Sequence, residues 1–463
     1  MKNRFIFLGL SLVILSVACE KPPIILTPTA GEEFSGGRAT VFDTSPNAFG
    51  FQAADFAGDD ELLFFVGNSF FNQNWVSAPA STTARDGLGP FFNARSCAAC
   101  HFKDGRGQPP TIEGRTGEGL LLRLSIPGLQ ANGSPTPEPH YGTQLQDQAV
   151  LGVMAEGKFK ILYTELEGAY DDGSLYYLRQ PLYQFVDLAY GNMDPSVEVS
   201  PRVAPQMIGL GLLEAITEAD LLSHADVNDQ NVDGISGKPN YVWDPVVQDY
   251  RLGRFGWKAN EPDLLTQSAA AFHGDIGIKT YLFPEENCNS VINCDSLPDG
   301  GEVEIDEDDL GKVVLYVSSL AVPARREHDD PDVLMGKQLF TQIGCASCHT
   351  PSYETGQHPK FDALSNQKIW PYTDLLLHDM GAGLADHRPE FDATGTEWRT
   401  PPLWGIGLFN VVSGHTFYLH DGRARNLEEA ILWHGGEAQN SQNAFKGLSV
   451  LERDQIILFL QSL

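Results

Sequence analysis

Cys97-Ala98-Ala99-Cys100-His101 and Cys345-Ala346-Ser347-Cys348-His349 repeat one pattern, Cys-x-x-Cys-His, within a chain of 463 residues. In that pattern two thiols can add to the two vinyl groups of one haem, and the adjacent histidine then ligates the iron. A thioredoxin-like redox pair needs no following histidine and usually sits in a βαβ pattern, which is not visible here. A zinc site would need a second ligand pair at regular spacing. The two strings therefore read as attachment points for two covalently bound haem c groups. Cys97, Cys100, Cys345 and Cys348 are the thioether residues, and His101 and His349 the proximal iron ligands.

Around these strings the chain is duplicated. The first unit runs through Gly67-Asn68-Ser69-Phe70-Phe71, the haem string, Ala204-Pro205-Gln206-Met207-Ile208-Gly209-Leu210-Gly211-Leu212 and Val313-Val314-Leu315-Tyr316-Val317-Ser318-Ser319-Leu320. The second keeps the order with Gly336-Lys337-Gln338-Leu339-Phe340, the haem string, Thr400-Pro401-Pro402-Leu403-Trp404-Gly405-Ile406-Gly407-Leu408 and Ile456-Ile457-Leu458-Phe459-Leu460-Gln461-Ser462-Leu463. The blocks read as helices, and the last opens with Ser449 and Glu452 in capping-box spacing. Small c-type cytochromes pack a Gly-x-x-x-Phe helix against such a terminal helix. The expected fold is therefore mainly α: two tandem cytochrome c-like haem domains, 46–325 and 326–463, with long loop and short β insertions. The boundary falls near Val322-Pro323-Ala324-Arg325-Arg326.

Lys2 and Arg4 precede an apolar run from Phe5 to Val17, the order of an export signal. That run is short of the about 20 apolar residues that span a bilayer. Leu15-Ser16-Val17-Ala18-Cys19 resembles a relaxed lipobox, so residues 1–19 are expected to be a lipoprotein signal with Cys19 lipidated. Residues 20–45, rich in Pro, Gly, Thr and Ser, suit a flexible tether. Export agrees with haem c, which is attached outside the bacterial cytoplasm. In an oxidising compartment Cys288 and Cys294 are expected to form a local disulfide, which accounts for all 7 cysteines. The formal net charge of −30 argues against nucleic-acid binding. It suits an exported protein that attracts a basic electron donor, such as a small cytochrome or a membrane redox protein.

What lies opposite each proximal histidine separates electron transfer from catalysis, because an open iron can bind peroxide. The second unit offers His358, His378, His387, His415, His420 and His434, with Met380 as a competing ligand. His434 ends a short helix that opens with acidic residues and stops at Gly435-Gly436. Separately, Asp229-Gln230-Asn231-Val232-Asp233-Gly234-Ile235 alternates oxygen ligands before a turn glycine, as calcium loops do. Asp229, Asn231, Asp233 and the carbonyl of Ile235 are the candidate ligands. Position twelve is Asn240 rather than a bidentate Glu, so any cage departs from an EF-hand.

Several of these stretches together resemble the bacterial di-haem oxidoreductases once labelled "thiol oxidoreductases". They are Arg95-Ser96-Cys97 through Arg106-Gly107, Ile208 through Ile216, Leu377-His378-Asp379-Met380-Gly381, Trp398 through Trp404, His420-Asp421-Gly422-Arg423 and Trp433-His434-Gly435-Gly436. The resemblance runs from about residue 35 to the C-terminus and extends to di-haem cytochrome c peroxidases and the enzyme that matures a tryptophan quinone. It implies an oxidoreductase, peroxidase-like, in which electrons from an external donor pass through the second haem to the first. In those relatives the helix after the His-Asp-Gly turn supplies the distal ligand of the second haem, Met or Tyr. The matching residue here is His434, a departure that implies a bis-histidine second haem, with Met380 as the runner-up. The peroxidase relatives also carry an inter-domain calcium, which bears on the 229–235 loop. For the first haem His140 and Met154 are available as ligands, and Glu214 is the candidate acid/base. Two other functions remain open: a non-catalytic di-haem electron carrier, and a thiol oxidoreductase.

Overall fold

The structure is a computed structural model that describes residues 26–56, 58–110, 119–297 and 299–463. The expected export signal and Cys19 lie outside these residues. No helix among the described residues is long and apolar enough to cross a membrane.

The mainly α expectation is overturned. Helix makes up only 28% of the chain and strand 20%, so the fold is not a tandem of helical cytochrome c-like domains. Among the described residues the strands form six two-stranded sheets and one three-stranded sheet. Six helices and four strands position the site. The helices are α1 (Asp59–Asn72), α2 (Leu264–Ala271), α3 (Glu307–Ser319), α4 (Pro331–Gln342), α5 (Leu427–Leu432) and α6 (Val450–Ser462). The strands are β1 (Leu120–Leu129), β2 (Lys158–Ala169), β3 (Leu175–Val186) and β4 (Glu198–Val203).

The error lay in the insertion between the haem string and Pro205. There Phe159 and Ile161 alternate with Lys158 and Lys160 at the period of a strand. They meet Tyr183 and Phe185 across an antiparallel β2–β3 hairpin whose strands are each 12 residues long. One face packs on Leu120, Leu122 and Leu124 of β1, which pairs with β4 from Leu120↔Val203 to Ser125↔Glu198. Tertiary burial of that alternation makes long strands out of what reads locally as loop.

The helices are set by their caps. Asp306, Asp330 and Ser449 accept first-turn amides of α3, α4 and α6, and Glu452 completes a capping box at Ser449. Asp59, Asp60 and Glu61 put negative charge on the first turn of α1. α1 packs on α3 and α4 on α6. A Cβ on Gly67 would lie 2.1 Å from the Lys312 carbonyl, and one on Gly336 1.9 Å from that of Gln455. Glycine at these points lets each helix pair touch backbone to backbone. The two copies of the Pro-to-Gly block meet each other reciprocally: a Cβ on Gly209 would strike Trp404, and one on Gly405 would strike Ile208. One apolar core runs from Ala39 to Leu463 and draws on both halves.

The flexible tether does not extend through residue 45. Thr40-Val41 pairs in parallel with Val322-Pro323. Buried Glu32 forms ion pairs with Arg325 and Lys337 and accepts the Tyr372 hydroxyl. Cys288 and Cys294 are joined in a disulfide.

Candidate functional site

Both Cys-x-x-Cys-His strings open onto one cavity, whose empty space is about 2980 Å³ when the open solvent at its mouth is included. Cys97, Cys100 and His101 line it on one side, and Cys345, Cys348 and His349 on the other. Burial pushes the Cys97 and Cys345 thiols up to about 12, with the Asp275 carboxylate adding to the effect at Cys97. These thiols are neutral, with no thiolate poised for redox exchange.

Three histidines on the cavity wall share one arrangement. His101 Nδ1 donates to the Pro205 carbonyl at 2.7 Å, His349 Nδ1 to that of Tyr372 at 3.0 Å, and His434 Nδ1 to that of Ala430 at 2.7 Å. Such a bond fixes the tautomer and leaves Nε2 as a free lone pair, as iron ligands require. Burial holds all three rings below the usual histidine range, His349 down to about 4, so they are neutral. Phe71 of α1 lies 6.1 Å from the His101 ring, and Phe340 of α4 lies 6.0 Å from that of His349. The duplicated Gly-x-x-x-Phe blocks thus buttress the two proximal rings in the same way.

Other histidines are committed elsewhere. His378 is clamped between Asp374 (2.8 Å) and Glu437 (2.7 Å), beside Cys348 Sγ at 3.5 Å. His415 donates to the Arg106 carbonyl. His420 lines the cavity but stacks on Trp398 at 3.8 Å and 12°. Met380 also lines the cavity, with its backbone against Gly435.

The duplication extends further than the sequence blocks revealed. Asp263 caps α2 through the Thr266 amide, and Asn426 caps α5 through that of Glu429. Aligned on these caps, the wall residues fall into pairs at one constant chain offset: Trp257 with His420, Gln267 with Ala430, Ala271 with His434, and Asp275 with Ala438. The two helices therefore present equivalent positions to one cavity. His434 stands where the first half has a methyl group, and Asp275 stands where the second half has one.

Asp275 is a residue the sequence reading missed. It sits in a π-helical turn, Phe272–Ile276, that continues α2, a distortion frequent at functional sites. Its Oδ1 accepts from Gln144 Nε2 at 3.0 Å and lies 4.0 Å from Arg123. Its charge acts on Cys97, Cys100 and His101. The matching caps and the shared leucines Leu264 and Leu427 were the available signal.

The expected acid/base, Glu214, is not among the residues that line this cavity. It pairs with His358 at 3.0 Å, and its other oxygen accepts the Leu264 amide at the start of α2. Burial opposes its ionisation, but His358 and that amide hold its carboxyl below the ordinary value. It is a cap and an inter-half link. His140 and Met154 do not line the cavity either, and Met154 is 65% exposed.

In the 229–235 loop the carboxylates face inward to the loop's own amides. Asp229 accepts from Asp233 and Gly234, Asn231 from Asp233, and Asp233 from Ile235. Among the described residues no group of three or more His, Cys, Asp or Glu side chains could hold a metal ion.

The cavity does suit haem. Its wall is largely apolar and carries paired thiols with aimed imidazoles. Arg123 also lines it, with Nε buried and lacking a hydrogen-bond partner, as a group waiting for a carboxylate would be. A comparison with curated proteins finds no match. A family model described as "Di-haem oxidoreductase, putative peroxidase" matches residues 30–463. Nearly the whole chain, including both haem strings and the cavity between them, thus belongs to the di-haem oxidoreductase family.

Proposed function

We propose that this protein is an exported, lipid-anchored c-type di-haem peroxidase. Cys97 and Cys100 would hold one haem covalently, and Cys345 and Cys348 the other. The observation that carries the reading is the pairing of Ala271 with His434 at equivalent wall positions. An imidazole can close the second iron, whereas a methyl group cannot ligate the first. Haem iron, when bound, supplies redox chemistry and an open coordination position for a peroxide oxygen. With haem bound, His101 and His349 would each ligate one iron, and His434, rather than Met380, would be the further ligand of the second. Its Nδ1 bond to Ala430 supports that choice over the thioether. Asp275, which lines the same cavity, would be the group that accepts a peroxide proton and returns it to the leaving oxygen. Arg123 neutralises a haem carboxylate and screens Asp275.

A basic donor, such as a small cytochrome or a membrane redox protein, would be drawn by the −30 charge and would supply electrons through the second haem. The signal and Cys19 support export to the outer side of the membrane. Electron paramagnetic resonance of the matured protein tests the assignment. One high-spin and one low-spin ferric haem, with peroxide consumed, is the expected result. Two low-spin haems without peroxide consumption would make it an electron carrier. Titratable thiols at Cys97 or Cys345 would return it to thiol chemistry.

A further inference from the structure

We infer that Tyr183 is a redox relay that carries oxidising equivalents from the cavity wall to the β2–β3 hairpin, where a phenolic reductant too large for the cavity is oxidised. The inference rests on the peroxidase reading, because peroxide is the oxidant.

The route is built from consecutive contacts. Trp398 and His420 both line the cavity and stack at 3.8 Å. His420 Nε2 lies 4.0 Å from Oδ2 of Asp421, and Tyr183 donates its phenolic hydrogen to that same oxygen at 3.1 Å. Arg423 Nε donates to it as well, at 2.8 Å. Asp421 is fully buried, and Arg423 and His420 keep its carboxyl ionised against the cost of burial. Burial first, and the Asp421 charge second, hold the Tyr183 phenol far above its usual range. The resting pair is therefore a neutral phenol hydrogen-bonded to a carboxylate. In that geometry loss of one electron from the ring transfers the proton to Asp421 Oδ2.

The hairpin carries a second phenol, Tyr163, close enough to interact electrostatically with Tyr183. Tyr163, on the neighbouring strand, lies under the Arg179 guanidinium at 4.1 Å. Arg179 donates to the carbonyls of Gly422 and Arg423, each at 3.2 Å, which ties the hairpin to the His420–Arg423 turn. Leu162 and Leu182 beside it are 45% and 57% exposed. A bulky reductant can therefore meet this hairpin without entering the cavity.

The step balances. Tyr183 gives one electron inward and its proton to Asp421. Asp421 returns that proton to the ring as an external phenol supplies one electron, releases its own proton to solvent and becomes a phenoxyl radical. Two such transfers, with two protons drawn from solvent, reduce one peroxide to two waters, and the two phenoxyl radicals couple into a dityrosine. A merely structural Tyr183 would anchor the hairpin and carry no radical.

The test uses the holoprotein, hydrogen peroxide and a tyrosine-containing peptide, with ascorbate as a small reductant. The wild type is expected to give a freeze-quenched radical that narrows when ring-deuterated tyrosine is incorporated, together with dityrosine in the peptide. Tyr183→Phe should lose both, while ascorbate-driven peroxide consumption persists. Tyr183→Trp should restore peptide oxidation, and Tyr163→Phe should lose peptide oxidation but keep the radical. Unchanged radical and dityrosine in Tyr183→Phe overturn the inference and leave the peroxidase reading standing. A wild type that consumes no peroxide overturns that reading, and this inference with it.

Discussion

Helices α2 and α5 do the same job from opposite halves, yet they carry different side chains to the cavity. Each begins at an Asx cap, Asp263 or Asn426, followed by a leucine, Leu264 or Leu427. Each presents its wall residues at matched positions. On α5 the decisive position holds His434, neutral and aimed by Ala430. On α2 it holds Ala271, and the functional group has moved one turn onward to Asp275. One duplicated scaffold therefore presents an imidazole from one half and a methyl group from the other. The geometry is shared, and the chemistry is decided by single residues.

The largest effect should come from erasing that difference. Ala271→His is expected to convert the high-spin haem to low-spin and abolish peroxide consumption, as read by electron paramagnetic resonance and peroxide assay. A high-spin signal that survives would show that the two positions are not equivalent. Asp275→Asn keeps the shape and removes the base, so peroxide turnover should fall about 10²–10⁴-fold, the usual contribution of a positioned acid/base. The reverse change, His434→Ala, should open the second iron. Its low-spin signal is then lost, while peroxide consumption continues whenever the protein is pre-reduced.

A stability contrast follows from the residues next to Trp257 and His420. Lys258 is buried and donates to Asp386 at 2.8 Å and to the carbonyls of Arg388 and Thr394. Lys258→Ala strands Asp386 and should cost about 3–5 kcal/mol in chemical denaturation. A smaller loss, about 1–3 kcal/mol, is expected for Glu214→Gln, with little change in peroxide turnover. A large loss of turnover without loss of stability would return Glu214 to the catalytic site.

pH gives the last contrast between the halves. Burial raises Asp104 from 3.8 to about 7, and Glu261 from 4.5 to about 8, the latter with added repulsion from Glu390. A carboxyl whose folded value is raised binds its proton more tightly in the native state. Its contribution is greatest below the unfolded value and fades as pH rises through the folded one. Melting temperature should therefore decline from about pH 4 to about pH 8, and Asp104→Asn with Glu261→Gln should flatten the decline. In the second half Glu390 behaves oppositely: burial opposes its charge, but Arg202 and Arg388 hold it ionised.

The haem strings, the four-block duplication and the capping box at Ser449 were legible because each is a local pattern with a local cause. His434 was reached through family resemblance, and the structure places its ring on the cavity wall, bonded to the Ala430 carbonyl. Three things were not legible. The β2–β3 hairpin took its length from packing against β1, which no window of a dozen residues contains. Glu214 looked catalytic beside its glycine block, but its partners His358 and Leu264 come from distant segments. Asp275 lay past the end of a helix whose kinship with α5 is carried by caps and spacing, with almost no residue identity.

The sequence by itself determined the doubling and pointed to haem, because the Cys-x-x-Cys-His pattern needs only five adjacent residues and repeats depend on order alone. Only the tertiary structure decided that both haem strings share one cavity, and which side chains face it. Those facts depend on where α2 and α5 are carried by the core, and burial, not local pattern, places them there.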